Sequence, residues 1–258
     1  MKTKLQISES IILAILLTLS GGFQDAYSYI IRDNVFVNAQ TGNIVLLGHN
    51  LVSGNFMKAL HYFFPIIAFI TGIYITEWIN HIYKNSHKIH WRQLILLIEI
   101  IIMGAVAFFP QKLNVPANIL LSFSCAIQVS SFKKFKGVPF ATTMCIGNMK
   151  NATEFYTKYQ ITRNEEFRYK SFYYYFIILI FALGATIGSV FTVLLKEKAI
   201  LVSAFILIVG FVLMFLKQET DNPIIKEELS EIKGDLKKIR YSLKNDIIEE
   251  FRELKNLK

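Results

Sequence analysis

The sequence predicts an all-α polytopic membrane protein with six transmembrane helices in two inverted three-span repeats. Each repeat carries a polar re-entrant or broken helix, and a cytosolic helix follows at the carboxyl end. Three observations predict this plan: the length and bunching of the apolar runs, the recurrence of short motifs at a nearly constant offset, and the distribution of lysine and arginine among the connecting segments.

The chain has 258 residues, 53% apolar and 18% charged, against roughly 45–50% and 25% in a soluble domain. Formal charges are absent from Ala59 to Thr76, Val115 to Phe132, Ser171 to Leu195 and Ala199 to Leu216. A spanning helix needs roughly 20 residues at 1.5 Å each, so each run qualifies. Ser10 to Ile31 and Gln93 to Gln111 qualify with one acid apiece, Asp25 and Glu99. The expected organisation is a transmembrane domain over residues 1–217, with repeat one at about 8–110 and repeat two at about 114–217. A cytosolic amphipathic helix or coiled coil follows over 221–258. The amino end, with Lys2 and Lys4 before an apolar run and Gly21-Gly22 behind it, resembles a signal peptide. Its counterpart later in the chain makes it the first span instead.

The net charge of +9 comes from the membrane portion, since the last 42 residues carry 10 basic and 10 acidic side chains. Positive-inside bias of membrane loops accounts for it, and no basic patch interleaved with aromatics points to nucleic acid. Cys125 and Cys145 both fall in membrane-embedded stretches and form neither a disulfide framework nor a metal-ligand spacing, so no cofactor is expected.

The repeat rests on four matches. Gly22-Phe23-Gln24-Asp25-Ala26 is echoed by Ala126-Ile127-Gln128-Val129-Ser130, and Val37-Asn38-Ala39-Gln40-Thr41-Gly42-Asn43 by Thr142-Thr143-Met144-Cys145-Ile146-Gly147-Asn148, at offsets of 104 and 105. Phe69-Ile70-Thr71-Gly72 answers Phe181-Ala182-Leu183-Gly184 at 112, and Gly104 falls opposite Gly210 at 106. Matches in the same order at similar offsets indicate duplication.

The segment after the first span of each half is too polar to face lipid. Asn34 to Gly54 contains Asn38, Gln40, Asn43, His49 and Asn50, and Val138 to Tyr159 contains Asn148, Lys150, Asn151 and Glu154. Either both cross as buried helices, giving eight spans, or both dip in and return, giving six. With eight spans and a cytoplasmic amino end, 8 lysines and arginines fall inside and 9 outside, whereas six spans place 13 inside and 5 outside. The positive-inside rule selects six. Three spans per repeat is an odd number, so the second half enters from the opposite side.

In such a plan a glycine-containing break brings half-helix ends to the membrane midplane, where backbone groups meet a solute instead of lipid. Helices starting near Thr41-Gly42-Asn43 and Ile146-Gly147-Asn148 would present amides with partial positive charge, suited to an anionic or strongly polar solute. The alternative is that Gly42 and Gly147 only permit close helix packing.

Two stretches carry a family resemblance. Gly22-Phe23-Gln24-Asp25-Ala26-Tyr27-Ser28-Tyr29, followed by Val35 to Gly48 with its Asn38-Ala39-Gln40-Thr41-Gly42-Asn43 core, resembles the YoaK-like bacterial membrane family, which is labelled a domain of unknown function. The likeness covers Ile11 to Leu216. In the second half the family tends to have Gln-Asn, then Val-Pro-Thr-Thr and Thr-Gly. Here Gln128-Val129, Val138-Pro139-Phe140-Ala141-Thr142-Thr143 and Ile146-Gly147 stand instead. The resemblance implies a multi-pass protein of the bacterial inner membrane and supplies no activity.

Ionisable groups within spans are costly, by about 2.5–3.5 kcal/mol on insertion scales, and are functional candidates for that reason. Asp25 follows Gly21-Gly22 and Gln24, where a loosened helix would turn its carboxylate into an internal cavity to hold a proton or cation. Alternatively it caps or hydrogen-bonds the adjacent break. Glu99 is either a second pathway residue or a carboxylate paired at the head-group edge. The expected solute or ion pathway therefore comprises Asp25, Gln24, Asn38, Thr41, Gly42, Asn43, Gln128, Thr142, Thr143, Gly147, Asn148 and Glu99. His61 beside Tyr62 and Glu77 beside Trp78 read as interfacial.

In the tail, Asp221-Asn222-Pro223 is a helix start. Ile225, Leu229, Ile232, Leu236, Ile239 and Leu243 then recur at spacings of 4, 3, 4, 3 and 4, a coiled-coil seam that predicts a homo-oligomer. The expected function is a small-solute transporter or channel, moving an anionic solute or one coupled to a cation, with both termini cytoplasmic and the lipid bilayer as its setting. The alternative is a non-transporting membrane scaffold or sensor acting through the coiled coil. An enzyme is not expected: there is no His-Glu-x-x-His pattern, Gly-x-Ser-x-Gly elbow or P-loop.

Overall fold

The computed structural model describes residues 10–83, 91–135, 138–139 and 142–220. The chain divides into two compact units, 1–214 and 215–258, and the coiled-coil seam from Ile225 onward lies outside the described residues. Eight helices make up the described chain: α1 (Ile11–Ile31), α2 (Gln40–Val52), α3 (Phe56–Tyr83), α4 (Trp91–Val106), α5 (Asn114–Ser131), α6 (Cys145–Thr162), α7 (Glu165–Leu195) and α8 (Ile200–Thr220). A two-residue antiparallel ladder, Lys134–Phe135 with Val138–Pro139, precedes α6 and leaves the fold all-helical.

Among the described residues, four stretches are long and apolar enough to cross a membrane: Ile11–Ile31, Phe56–Ile82, Gln111–Ser131 and Glu165–Met214. The last contains both α7 and α8, separated by the 3-10 turn Lys196–Ala199, which opens on the left-handed residue Lys196. The apolar run expected from Gln93 to Gln111 folds as α4, which stops at Val106 after 16 residues. The two polar segments fold as the continuous helices α2 and α6, of 13 and 18 residues. α2 rises only about 20 Å, short of the roughly 30 Å hydrocarbon layer. Extended chain leads into it after α1 ends on Asp33 and Asn34, both left-handed, a conformation that short polar side chains tolerate.

Helix directions follow from side-chain bonds. Leu17, Gln24 and Arg32 of α1 meet Gln128, Cys125 and Asn118 of α5, so these two helices run antiparallel. Gln24 meets Glu99, and Arg32 meets Val106, so α4 runs parallel to α1. Gly72 lies against Ala126, and Glu77 pairs with Lys133 just beyond α5, so α3 runs parallel to α5. Leu19 touches Gly184 and Phe23 touches Gly188, which makes α7 parallel to α1. Asp33 after α1 lies 3.7 Å from His61 near the start of α3. The intervening segment with α2 therefore returns to the face it left.

Small residues set the closest crossings. A Cβ on Gly22 would overlap the Phe181 carbonyl oxygen, and one on Gly184 would overlap the Leu19 carbonyl oxygen. At the α3–α5 crossing, a Cβ on Gly72 would come within 2.7 Å of the Ala126 methyl and 2.9 Å of the Phe123 carbonyl oxygen. Backbones this close gain van der Waals contact that larger side chains would forbid, the usual driving force between helices in lipid.

Candidate functional site

The first polar break is held by side chains from α1 and from the break itself. Asp25 Oδ1 accepts the amides of Val37 at 3.0 Å and Asn38 at 2.8 Å. Asn38 donates in turn to the Gly21 carbonyl at 3.1 Å, a group near the α1–α7 crossing. Asn43 brackets Phe36: its Oδ1 accepts the Phe36 amide at 3.0 Å and its Nδ2 donates to the Phe36 carbonyl at 2.6 Å. These bonds satisfy backbone groups that lipid could not. Gly42 permits the arrangement because a Cβ there would meet the Phe36 ring at 2.8 Å.

α2 and α6 both begin without a side-chain cap: neither Ala39 nor Met144 accepts from the first turn. Their starts converge on one cavity of about 680 Å³. α2 contributes Gln40 and Thr41, α6 contributes Cys145, Ile146 and Gly147, and Asp25 stands beside them on α1. Phe69 of α3 and Phe181 and Ala185 of α7 close the sides. The cavity is mostly apolar, and its rim includes the exposed Tyr29, Ile30 and Ile146.

Of the residues expected in a pathway, Asp25, Asn38, Thr41, Thr143 and Gly147 line this cavity. Gly42 and Asn43 support the chain behind it, and Thr142 and Asn148 are buried at the second break. Gln24, Glu99 and Gln128 lie elsewhere. Gln24 donates to Glu99 Oε1 at 3.3 Å and to Ser20 Oγ at 3.0 Å, and accepts from the Cys125 thiol at 2.9 Å. Ser20 meets Ser203 of α8 at 2.8 Å, and Gln128 donates to the Leu17 carbonyl. This second polar cluster joins α1, α4, α5 and α8. Glu99 is fully buried there, and its Oε2 has no hydrogen-bond partner among the described residues. On α1, Gln24 and Asp25 are neighbours about 100° apart in helical phase, which turns one to this cluster and the other to the cavity.

Arg32 is a feature that sequence reasoning missed, because it reads as a loop charge. It is fully buried, and its donors reach Tyr27 Oη, Asn114 Oδ1 and the carbonyls of Val106 and Pro110. Tyr27 passes the chain on to the Glu197 carbonyl, and Asn118 ties back to the Arg32 carbonyl at 2.7 Å. The guanidinium thus clasps the end of α1 to α4, α5 and the turn before α8. Among the described residues no group of three or more histidines, cysteines or acids could hold a metal ion.

The fold is that of a membrane-like, all-helical protein in which the starts of α2 and α6 meet at one cavity. The chain belongs to the family described as Protein of unknown function (DUF1275), whose model matches residues 13–213. That match agrees with the YoaK-like resemblance of the first half. No curated protein and no solved structure matches the chain.

Proposed function

We propose that this protein is a small-solute transporter or channel of the bacterial inner membrane. It crosses six times in two inverted repeats, with both termini cytoplasmic, and moves its solute without covalent chemistry. The observation that carries the reading is the convergence of two uncapped helix starts, from matching positions of the two halves, on one cavity beside a buried carboxylate. At the start of α2 the Gln40 and Gly42 amides bond the Asn38 and Ala39 carbonyls, and the start of α6, with no side-chain cap, is the end better suited to a polar ligand group.

Helix direction supports six crossings. Three crossings per half reverse the second copy, and α1 and α5 are antiparallel; eight crossings would make them parallel. The packing supports the repeat: α1 packs on α7 as α5 packs on α3, and α2 on α3 as α6 on α7. The glycine matches coincide with these contacts, since Gly22 and Gly184 form one crossing and their counterparts Ala126 and Gly72 the other. Self-association through residues 221–258 belongs to the same proposal.

Reconstitution in vesicles, with a panel of small solutes and with or without a proton gradient, tests the function. A Cβ at Gly147 meets nothing within 4 Å, so Gly147→Trp should fill the cavity and abolish uptake while leaving the protein folded. Absence of uptake by the wild type, or uptake unchanged by the plug, would favour the scaffold reading instead.

A further inference from the structure

We infer that the solute of this cavity is an organic cation: a protonated or quaternary amine carried on an apolar, largely aromatic body. The inference rests on the cavity being a solute site and names what that site selects.

Charge is the first argument. Among the described residues lining the cavity, Asp25 is the sole formally charged side chain, and no lysine, arginine or histidine joins it. The Val37 and Asn38 amides satisfy its hydrogen bonding and leave its formal charge uncancelled. A carboxylate in low-dielectric surroundings holds a proton or keeps a cation beside it. The second argument is the wall. Tyr29, Phe36, Phe69 and Phe181 place four aromatic rings around the same space, with Tyr29 and Phe36 stacked at 4.8 Å between centroids. Ring faces carry partial negative charge and hold ammonium groups. The third is size. About 680 Å³ falls in the range of small-molecule pockets; a bare inorganic ion would leave most of it empty, and apolar walls give such an ion few ligands.

These features also reverse the expectation of an anion. The amides at the start of α6 would favour a negative group, but in this cavity that group would face the Asp25 carboxylate with no basic side chain to offset it. The amides instead suit a hydroxyl or carbonyl at the far end of the cation.

Binding of benzyltrimethylammonium to the purified full-length protein, beside its uncharged carbon isostere neopentylbenzene and the anion benzoate, tests the inference. The cation should bind saturably and more tightly than the other two. Asp25→Asn keeps an acceptor for both backbone amides and should weaken the cation by at least about tenfold, with thermal unfolding and isostere binding unchanged. Tyr29→Leu alters an exposed ring and should weaken the cation by about threefold, so the inference remains testable if Asp25→Asn fails to fold. Competition by phosphatidylethanolamine would support the site and identify a lipid amine as its source; its absence would support a free solute. Equal binding of cation and isostere, tighter binding of benzoate, or full cation affinity in Asp25→Asn would overturn it. Cation binding without uptake in vesicles would leave the site standing and remove the transport reading. Uptake of another solute without cation binding would do the reverse.

Discussion

At the first polar break Asp25 gathers the amides of Val37 and Asn38, Asn38 ties back to Gly21, and Asn43 grips Phe36 from both sides. At the second, Val129 stands where Asp25 stood, Met144 stands where Ala39 stood, and the Thr142 hydroxyl is buried without a hydrogen-bond partner. Both breaks deliver an uncapped helix start to the same cavity, so the geometry does not need the carboxylate twice. The two breaks reach the same cavity by different means: a carboxylate holds the first, and a neutral valine stands at the matching position before the second.

The largest expected effect concerns what the halves share. Gly22→Leu should abolish folded protein, because even a Cβ there overlaps the Phe181 carbonyl. Gly147→Ala should leave the melting temperature unchanged, since open space surrounds it. Size-exclusion profiles and thermal melts of the two variants check this; a folded Gly22→Leu would show that the α1–α7 crossing is misplaced.

Next comes the clasp at the end of α1. Arg32→Leu strands the Asn114 acceptor and the carbonyls of Val106 and Pro110, a loss of roughly 3–9 kcal/mol at 1–3 kcal/mol per buried orphan. Denaturant unfolding in detergent would measure it, and a loss below about 0.5 kcal/mol, the scale of a surface substitution, would contradict the buried position.

Asp25 sharpens the comparison most directly. Asp25→Ala orphans two amides and should cost roughly 2–6 kcal/mol, whereas Asp25→Asn should cost less than about 1 kcal/mol because an acceptor remains. Equal losses from the two variants would mean that the charge, rather than the acceptor, holds the first break.

Labelling tests the opposed entry of the two breaks without changing stability. Ser53 ends α2 and Arg163 ends α6, both exposed. In a background with Cys145→Ser, a cysteine at Ser53 should react with an impermeant reagent from outside and one at Arg163 only from inside. Reaction of both from one side would remove the inverted repeat. The smallest effect is Glu99→Gln, which keeps an acceptor for Gln24 and should shift stability by less than about 1 kcal/mol. A large loss would show that the Glu99 carboxyl makes a contact that its amide cannot reproduce.

Much of this was legible in the sequence. Uncharged runs of bilayer length gave the membrane helices, because in lipid every backbone group must be bonded within the segment. Repeat offsets pointed to Gly22, Gly72, Gly184 and Ala126, which turned out to be crossing contacts because only small residues let helix backbones touch. Asp25 and the starts of α2 and α6 were also visible, as polar residues too costly to leave facing lipid.

Tertiary structure alone decided the rest. Asp25 and Gln24 are neighbours in the chain, yet about 100° of helical phase sends one to the cavity and the other to the Glu99 cluster. Arg32 looks like a loop charge because, Tyr27 apart, the groups its side chain reaches lie 74 to 82 residues away. The expectation of an anion likewise came from the helix ends taken singly; only the fold shows that four aromatic rings and a carboxylate surround the same space. Sequence determines which residues cannot face lipid; only packing determines which of them face one another.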